Sequence, residues 1–150
     1  MLYFNYILAM LGGAAVSVYL PMIAQSSRIM GSPFMGNVPF FGIAFATSII
    51  ISLLAGQRPG DYSRMADVPA WMFLAGIVSA LMIILSSYLI PKVGPAAFFV
   101  LLVAGQILVG FVINQYGLLG VPVQPMNLTK AIGGALVIGG AALVTFSSGT

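Results

Sequence analysis

The chain has 150 residues, 61% of them hydrophobic and only 5% charged, with five Lys/Arg against two Asp/Glu and a formal net charge of +3. Soluble domains carry about 25% charged residues, so this composition and a mean hydropathy of +1.13 describe an integral membrane protein. Cysteine and histidine are absent and Asp61 and Asp67 are the only carboxylates, which excludes disulfides and thiolate sites and leaves enzyme chemistry almost nothing to use; no metal and no cofactor is expected. The small positive charge is ordinary for residues flanking membrane spans and does not indicate nucleic acid.

Charges punctuate the chain. A span needs about 20 apolar residues at about 1.5 Å each. The first charge is Arg28, so helix one is predicted at about 3–26. It lacks the basic start and small-residue cleavage site of a signal peptide and is expected to be retained. Gly31-Ser32-Pro33 reads as a turn that opens helix two, about 33–55, with proline in the tolerated first turn and Pro39 as an expected kink. Gly56 to Val68, GQRPGDYSRMADV, holds four of the seven charges and is predicted to be the one long extramembrane connector. Helix three is predicted at about 70–90, with Trp71 at its interfacial start. Pro91-Lys92-Val93-Gly94-Pro95 reads as a tight turn, followed by helix four at about 96–116. Gly117 to Met126, with two prolines and its glycines, is expected to be non-helical, and helix five follows at about 128–146. The fold class is therefore an all-α, five-span membrane bundle forming a single membrane domain.

Polar residues recur at helical spacing. On helix one, Gly13, Ser17, Pro21, Gln25 and Arg28 follow at intervals of four, four, four and three. Helix two carries Asn37, Phe41, Ala44, Ser48 and Ser52; helix three Trp71, Ala75, Ser79 and Ser86; helix four Gln106, Gly110 and Asn114. Such stripes turn inward in lipid, either as glue between helices or as the lining of a pathway. Gln106 is the sharpest case. It is the one amide near the middle of an uncharged segment, and burying it unpaired in hydrocarbon costs several kcal/mol, so it must face protein or a water-filled cavity. The candidate pathway residues are Ser17, Gln25, Arg28, Asn37, Ser48, Trp71, Ser79, Gln106 and Asn114. Arg28 either snorkels to the headgroups or points into a cavity mouth, where it would attract an anionic or zwitterionic substrate. Helix five differs: Ala131, Ala135 and Gly139 at intervals of four, and Gly133 and Gly140 seven apart, make a smooth surface suited either to pairing with a second copy or to packing within the chain.

Five spans would put the termini on opposite sides of the membrane. The N-terminal side then carries Arg58, Arg64 and Lys130, the other side Arg28 and Lys92. Orientation follows the Lys/Arg excess of short loops. A balance this even allows insertion in both directions, unless Arg58 and Arg64 together hold the long connector in the cytoplasm.

The stretch GPAAFFVLLVAGQILV, followed by NQYGLLGVPVQPMNLTKAIGG, resembles the half-length, five-helix YdcZ-like members of the drug/metabolite transporter superfamily. The resemblance extends back through Pro69-Ala70-Trp71 and Ile90-Pro91-Lys92, and more loosely to Gly31-Ser32-Pro33, about residues 20–143 in all. It implies half of the EamA-like inverted-repeat transporter fold, working as a homodimer in parallel or antiparallel arrangement in a bacterial inner membrane. Two oppositely inserted copies would reproduce an inverted-repeat transporter that moves a small metabolite or drug-like solute by alternating access. The glycine spacing of helix five is similar to that of the pairing helix of small multidrug-resistance relatives. One departure stands out: where the family it resembles carries an Asp-His pair after the fourth helix, this chain has Asn114-Gln115. The small multidrug-resistance relatives also have a membrane glutamate in the first helix, and helix one here has none. Proton coupling needs a group that titrates in the working range, and no span offers a carboxylate or imidazole, which argues against a carboxylate-coupled cation antiporter. The alternative reading is a membrane interaction or partner subunit that transports nothing; it needs no solvated polar stripe, whereas a transporter does.

Overall fold

The computed structural model describes residues 2–147. Among the described residues there are five helices long and apolar enough to cross a membrane, and no strand. The chain divides after Pro91 into two compact units.

The first unit holds α1 (Leu2–Ile29), α2 (Pro33–Leu54) and most of α3 (Leu74–Val93). α1 runs three residues past the expected end and takes Arg28 into its last turn, where a cation complements the negative end of the helix dipole. α2 starts as its sequence dictates. Ser32 is extended at the N-cap and its Oγ accepts from Phe34 N at 3.2 Å, with Pro33 at the first helical position, where its missing N–H costs nothing. Pro21 and Pro39 both lie inside helices that continue through them.

The connector between α2 and α3 is more ordered than a solvated loop. Pro59–Asp67 forms a 3₁₀ helix, opened by Asp61 Oδ2 accepting from Arg58 N at 2.7 Å and tied back to α2 by Tyr62 OH donating to Ser52 Oγ at 2.9 Å. A second 3₁₀ turn, Ala70–Phe73, carries Trp71 into the third span. That span corrects the expected turn at Pro91. The helix passes through this proline and stops only at Gly94, whose φ of 81° is open to glycine and strained for other residues. A proline near a helix end removes one backbone bond without ending the helix; the left-handed glycine is what breaks it.

The second unit holds α4 (Pro95–Tyr116) and α5 (Leu128–Ser147). α4 ends at Gly117 with φ 62° and ψ 32°, and a Cβ there would lie 2.7 Å from Val123 Cγ2, so the turn requires glycine on two counts. The connector contains one tight turn, Leu118–Gly120, whose middle residue Leu119 is left-handed at φ 58°, so it does not extend α4. Gln124 N donates to Asn114 O at 2.9 Å and Met126 N donates to Gln115 Oε1 at 2.7 Å, which folds the connector back onto the end of α4. Asn127 Oδ1 accepts from Lys130 N at 2.8 Å and caps α5.

The α4–α5 contact is close because α5 offers a glycine to an aromatic ring. A Cβ on Gly134 would meet Phe111 Cε2 at 2.5 Å. Val137, Ala141 and Val144 continue the same α5 face opposite Phe99, Val100 and Val103 of α4. Elsewhere the spans carry exposed leucine, isoleucine, valine and phenylalanine, and no span window is more than 22% buried within the chain. Exposed apolar surface on that scale suits contact with lipid or with another helix.

Candidate substrate pathway

The polar residues of the first unit fall into two groups with opposite behaviour. Ser17, Ser48, Ser79 and Ser86 donate to the carbonyl four residues earlier, at Gly13 (3.2 Å), Ala44 (2.8 Å), Ala75 (2.8 Å) and Met82 (2.7 Å). The interval of four that makes the stripes visible in sequence is thus also the interval of a back-bond, by which a hydroxyl satisfies itself in a medium without water. Ser17, Ser48 and Ser79 are exposed on the chain, as are Gln25, Arg28 and Trp71. Ser79 lines a groove with Tyr19, Phe40, Phe41 and Met82, which brings α1, α2 and α3 together; Tyr19 and Phe40 stack there at 5.7 Å. Ser48 lines a separate groove beside the connector, with Ser52 and Tyr62.

The second group is buried, and each member has a side-chain oxygen without a partner. Ser27 is 2% exposed, Asn37 7% and Ser87 4%, and Ser27 Oγ, Asn37 Oδ1 and Ser87 Oγ have no hydrogen-bond partner. Asn37 Nδ2 donates to Ala80 O at 3.2 Å; because a carbonyl can only accept, the amide nitrogen faces α3 and the oxygen is left over. Ser27 packs against Gly36, where α1 and α2 approach so closely that a Cβ on the glycine would lie 2.7 Å from Ser27 Cα. An unsatisfied buried polar atom costs about 1–3 kcal/mol, and Ser27 and Ser87 forgo the back-bond their neighbours make.

The three residues come from three helices, and Asn37 faces Ala80, seven residues before Ser87 on α3. Ser27 lies two residues from the end of α1, Asn37 four from the start of α2, and Ser87 six from the end of α3. At about 1.5 Å per residue Ser87 lies about 10 Å along α3 from Ala80, the residue that Asn37 bonds. Pro91, without an N–H, cannot bond the carbonyl of Ser87.

Of the residues singled out in sequence, the structure buries Asn37 against α3 and places Ser79 next to Ala80, its partner. Gln106 and Asn114 belong to the second unit, Gln106 exposed and Asn114 half-buried. Ser27 and Ser87 were not anticipated. The only sequence signal for them is that each is the second of a serine pair, Ser26-Ser27 and Ser86-Ser87. Gln115, beside Asn114, holds the connector rather than a pathway.

Among the described residues no group of three or more His, Cys, Asp or Glu could hold a metal ion. Five apolar spans without Asp, Glu, His or Cys define a multi-pass membrane protein. Residues 4–143 match the DMT_YdcZ family, described as "Putative inner membrane exporter, YdcZ", and the chain belongs to that family. The match takes in the first helix as well as the stretch whose resemblance was legible in sequence. No match was found among curated proteins or among solved structures.

Proposed function

We propose that this chain is one subunit of a dimeric transporter in a bacterial inner membrane that moves a small solute by alternating access. The observation that carries the reading is the family match over 4–143, to a group described as inner membrane exporters and not to any class of enzyme. Half-length is the second support. A five-span chain supplies one half of an inverted-repeat architecture, and a second copy would supply the other.

The helix-five surface is where the copies would meet. α5 uses Gly134, Val137, Ala141 and Val144 against α4, which leaves Ala131, Ala135 and Gly139 on the opposite side, exposed. Gly133 and Gly140 lie on the flank between the two, and Gly140 lines the α4 groove as well. The pathway would draw on the polar groups of α1 to α4, with Asn37 and Gln106 as its principal amides.

The test is solute flux in liposomes containing the purified protein, with Gln106→Leu as the control. Flux that falls about tenfold or more in Gln106→Leu, with insertion and dimerisation unchanged, supports the reading; a loss of that size corresponds to about 1.4 kcal/mol at the rate-limiting step. Absence of flux for every solute screened, from well-folded dimers, would favour a partner subunit that transports nothing.

A further inference from the structure

We propose that the connector between α2 and α3 is seated in the membrane surface, where the groove between it and α2 holds an acyl chain of a zwitterionic phospholipid and its charged row meets the headgroup. A 3₁₀ helix has about three residues per turn, so residues three apart lie above one another. Pro59–Asp67 sorts into rows on that period. Pro59, Tyr62 and Met65 form an apolar row, Gly60, Ser63 and Ala66 a small one, and Asp61, Arg64 and Asp67 a charged one, headed by Arg58 at the N-cap. An element that is apolar along one side and charged along another lies in the plane of a membrane with its apolar side down. This placement goes beyond the transporter reading and does not depend on it.

The contacts of the connector set its depth. Tyr62 OH donates to Ser52 Oγ at 2.9 Å, and Tyr62 and Met65 line one groove with Phe45, Ser48, Ile49 and Ser52 of α2. α2 ends at Leu54. At about 1.5 Å per residue the groove therefore runs from about 3 Å to about 14 Å back along the span from that end. α2 has 22 residues, a length matched to a hydrocarbon core of about 30 Å, so this part of the span faces acyl chains rather than water. The polar atoms of the groove are used within the protein, Ser48 Oγ donating to Ala44 O at 2.8 Å and Tyr62 OH to Ser52. What enters must be apolar. Above it, the side chains of Arg64 and Asp67 make no bond or ion pair among the described residues, although charges of opposite sign alternate along their row. A second copy's span in the groove would set those charges against an apolar helix. A phospholipid instead offers a phosphate to the arginines while its chain points down. With two arginines and two aspartates the row has no net charge, which matches a zwitterionic headgroup.

Trp71 is the one tryptophan of the chain, so Trp71→Phe gives a background in which a single indole reports its surroundings. Met65→Trp and Ser63→Trp are made in that background and reconstituted in vesicles of phosphatidylcholine brominated along its chains. Emission is expected to be lost to the bromines in Met65→Trp and kept in Ser63→Trp, with iodide in the water acting in the reverse order. The headgroup is read by competition of unbrominated phosphatidylglycerol with the brominated lipid in Met65→Trp. The two lipids should compete evenly, whereas adding Asp67→Asn should favour the anionic lipid about fivefold and adding Arg64→Gln should disfavour it about fivefold, the effect of one charge near an anionic surface. Quenching at position 65 by iodide and not by bromine would put the connector in water and overturn the seat. Bromine quenching at both positions would overturn its orientation. Protection of position 65 from both quenchers would mean that a second copy covers the groove, and would overturn the lipid. Selectivity unchanged in both charge variants would overturn the headgroup contact.

Discussion

Gly36 shows how a single residue sets the geometry of the first unit. Any side chain there would run into Ser27 Cα at 2.7 Å and Cβ at 2.8 Å, so the backbone of α2 rests on that of α1 only because position 36 has no Cβ. Gly42, on the same helix, has nothing within 4 Å of a built Cβ. The two glycines should respond in opposite directions. Gly36→Ala forces the helices apart and is expected to cost about 1–3 kcal/mol, as overpacking does. Gly42→Ala removes a flexible residue from a helix interior and should be neutral or stabilising by up to about 1 kcal/mol. Thermal unfolding of the purified variants in detergent distinguishes them, and equal midpoints would mean that α1 and α2 do not meet at Ser27. The same contact explains why Ser27 was not legible in sequence. Its burial follows from the closeness of α2, and the neighbouring Ser26, of the same type, is only half-buried.

At the scale of the element, α5 separates two functions that small residues share. Its sequence contains three interleaved sets of glycine and alanine, all apolar and all compatible with close approach. Packing against α4 takes one set, with Gly134 against the Phe111 ring and Ala141 4% exposed. This leaves the Ala131, Ala135 and Gly139 row free for a second copy. Gly134→Leu is therefore expected to lower the unfolding midpoint through the α4–α5 contact. Ala135→Leu with Gly139→Leu should leave that midpoint within about 0.5 kcal/mol, as exposed substitutions do, and reduce crosslinked dimer. Undiminished dimer in the double variant would place the pairing surface elsewhere. The connector makes a comparable point. Its charges mark it as extramembrane, but its 3₁₀ helix depends on Tyr62 reaching Ser52, ten residues away, a contact with no periodic signature.

For the molecule as a whole, the distribution of basic residues bears on direction in the membrane. The basic residues outside the span interiors are Arg58, Arg64 and Lys130 on one expected side, Arg28 and Lys92 on the other, a difference of one. Reporters fused to the C-terminus, one active on each side of the membrane, are both expected to give signal. Removing Arg58 and Arg64 should shift the ratio between them. Signal from a single compartment, unchanged in the Arg58→Ala and Arg64→Ala double variant, would reject insertion in both directions and with it an antiparallel pair.

The sequence by itself determined the class of protein, the number of spans and, within a few residues, their limits. Runs of about 20 apolar residues cannot stay in water, and in lipid they must close their own backbone hydrogen bonds as helices, so composition alone decides that level of structure. The turn at Gly31-Ser32-Pro33 was equally legible, since capping is a local property, whereas the turn expected over Pro91-Lys92-Val93-Gly94-Pro95 narrowed to Gly94. Pro91 misled because proline weakens a helix without having to end it. Only the tertiary structure decided which polar groups are buried without partners and which face of α5 meets α4. Within the membrane every side of a span is apolar, so little in the pattern of one helix shows how it is rotated toward its neighbours. That rotation comes from steric fit between pairs such as Gly36 with Ser27 and Gly134 with Phe111, which exists only once the helices are packed.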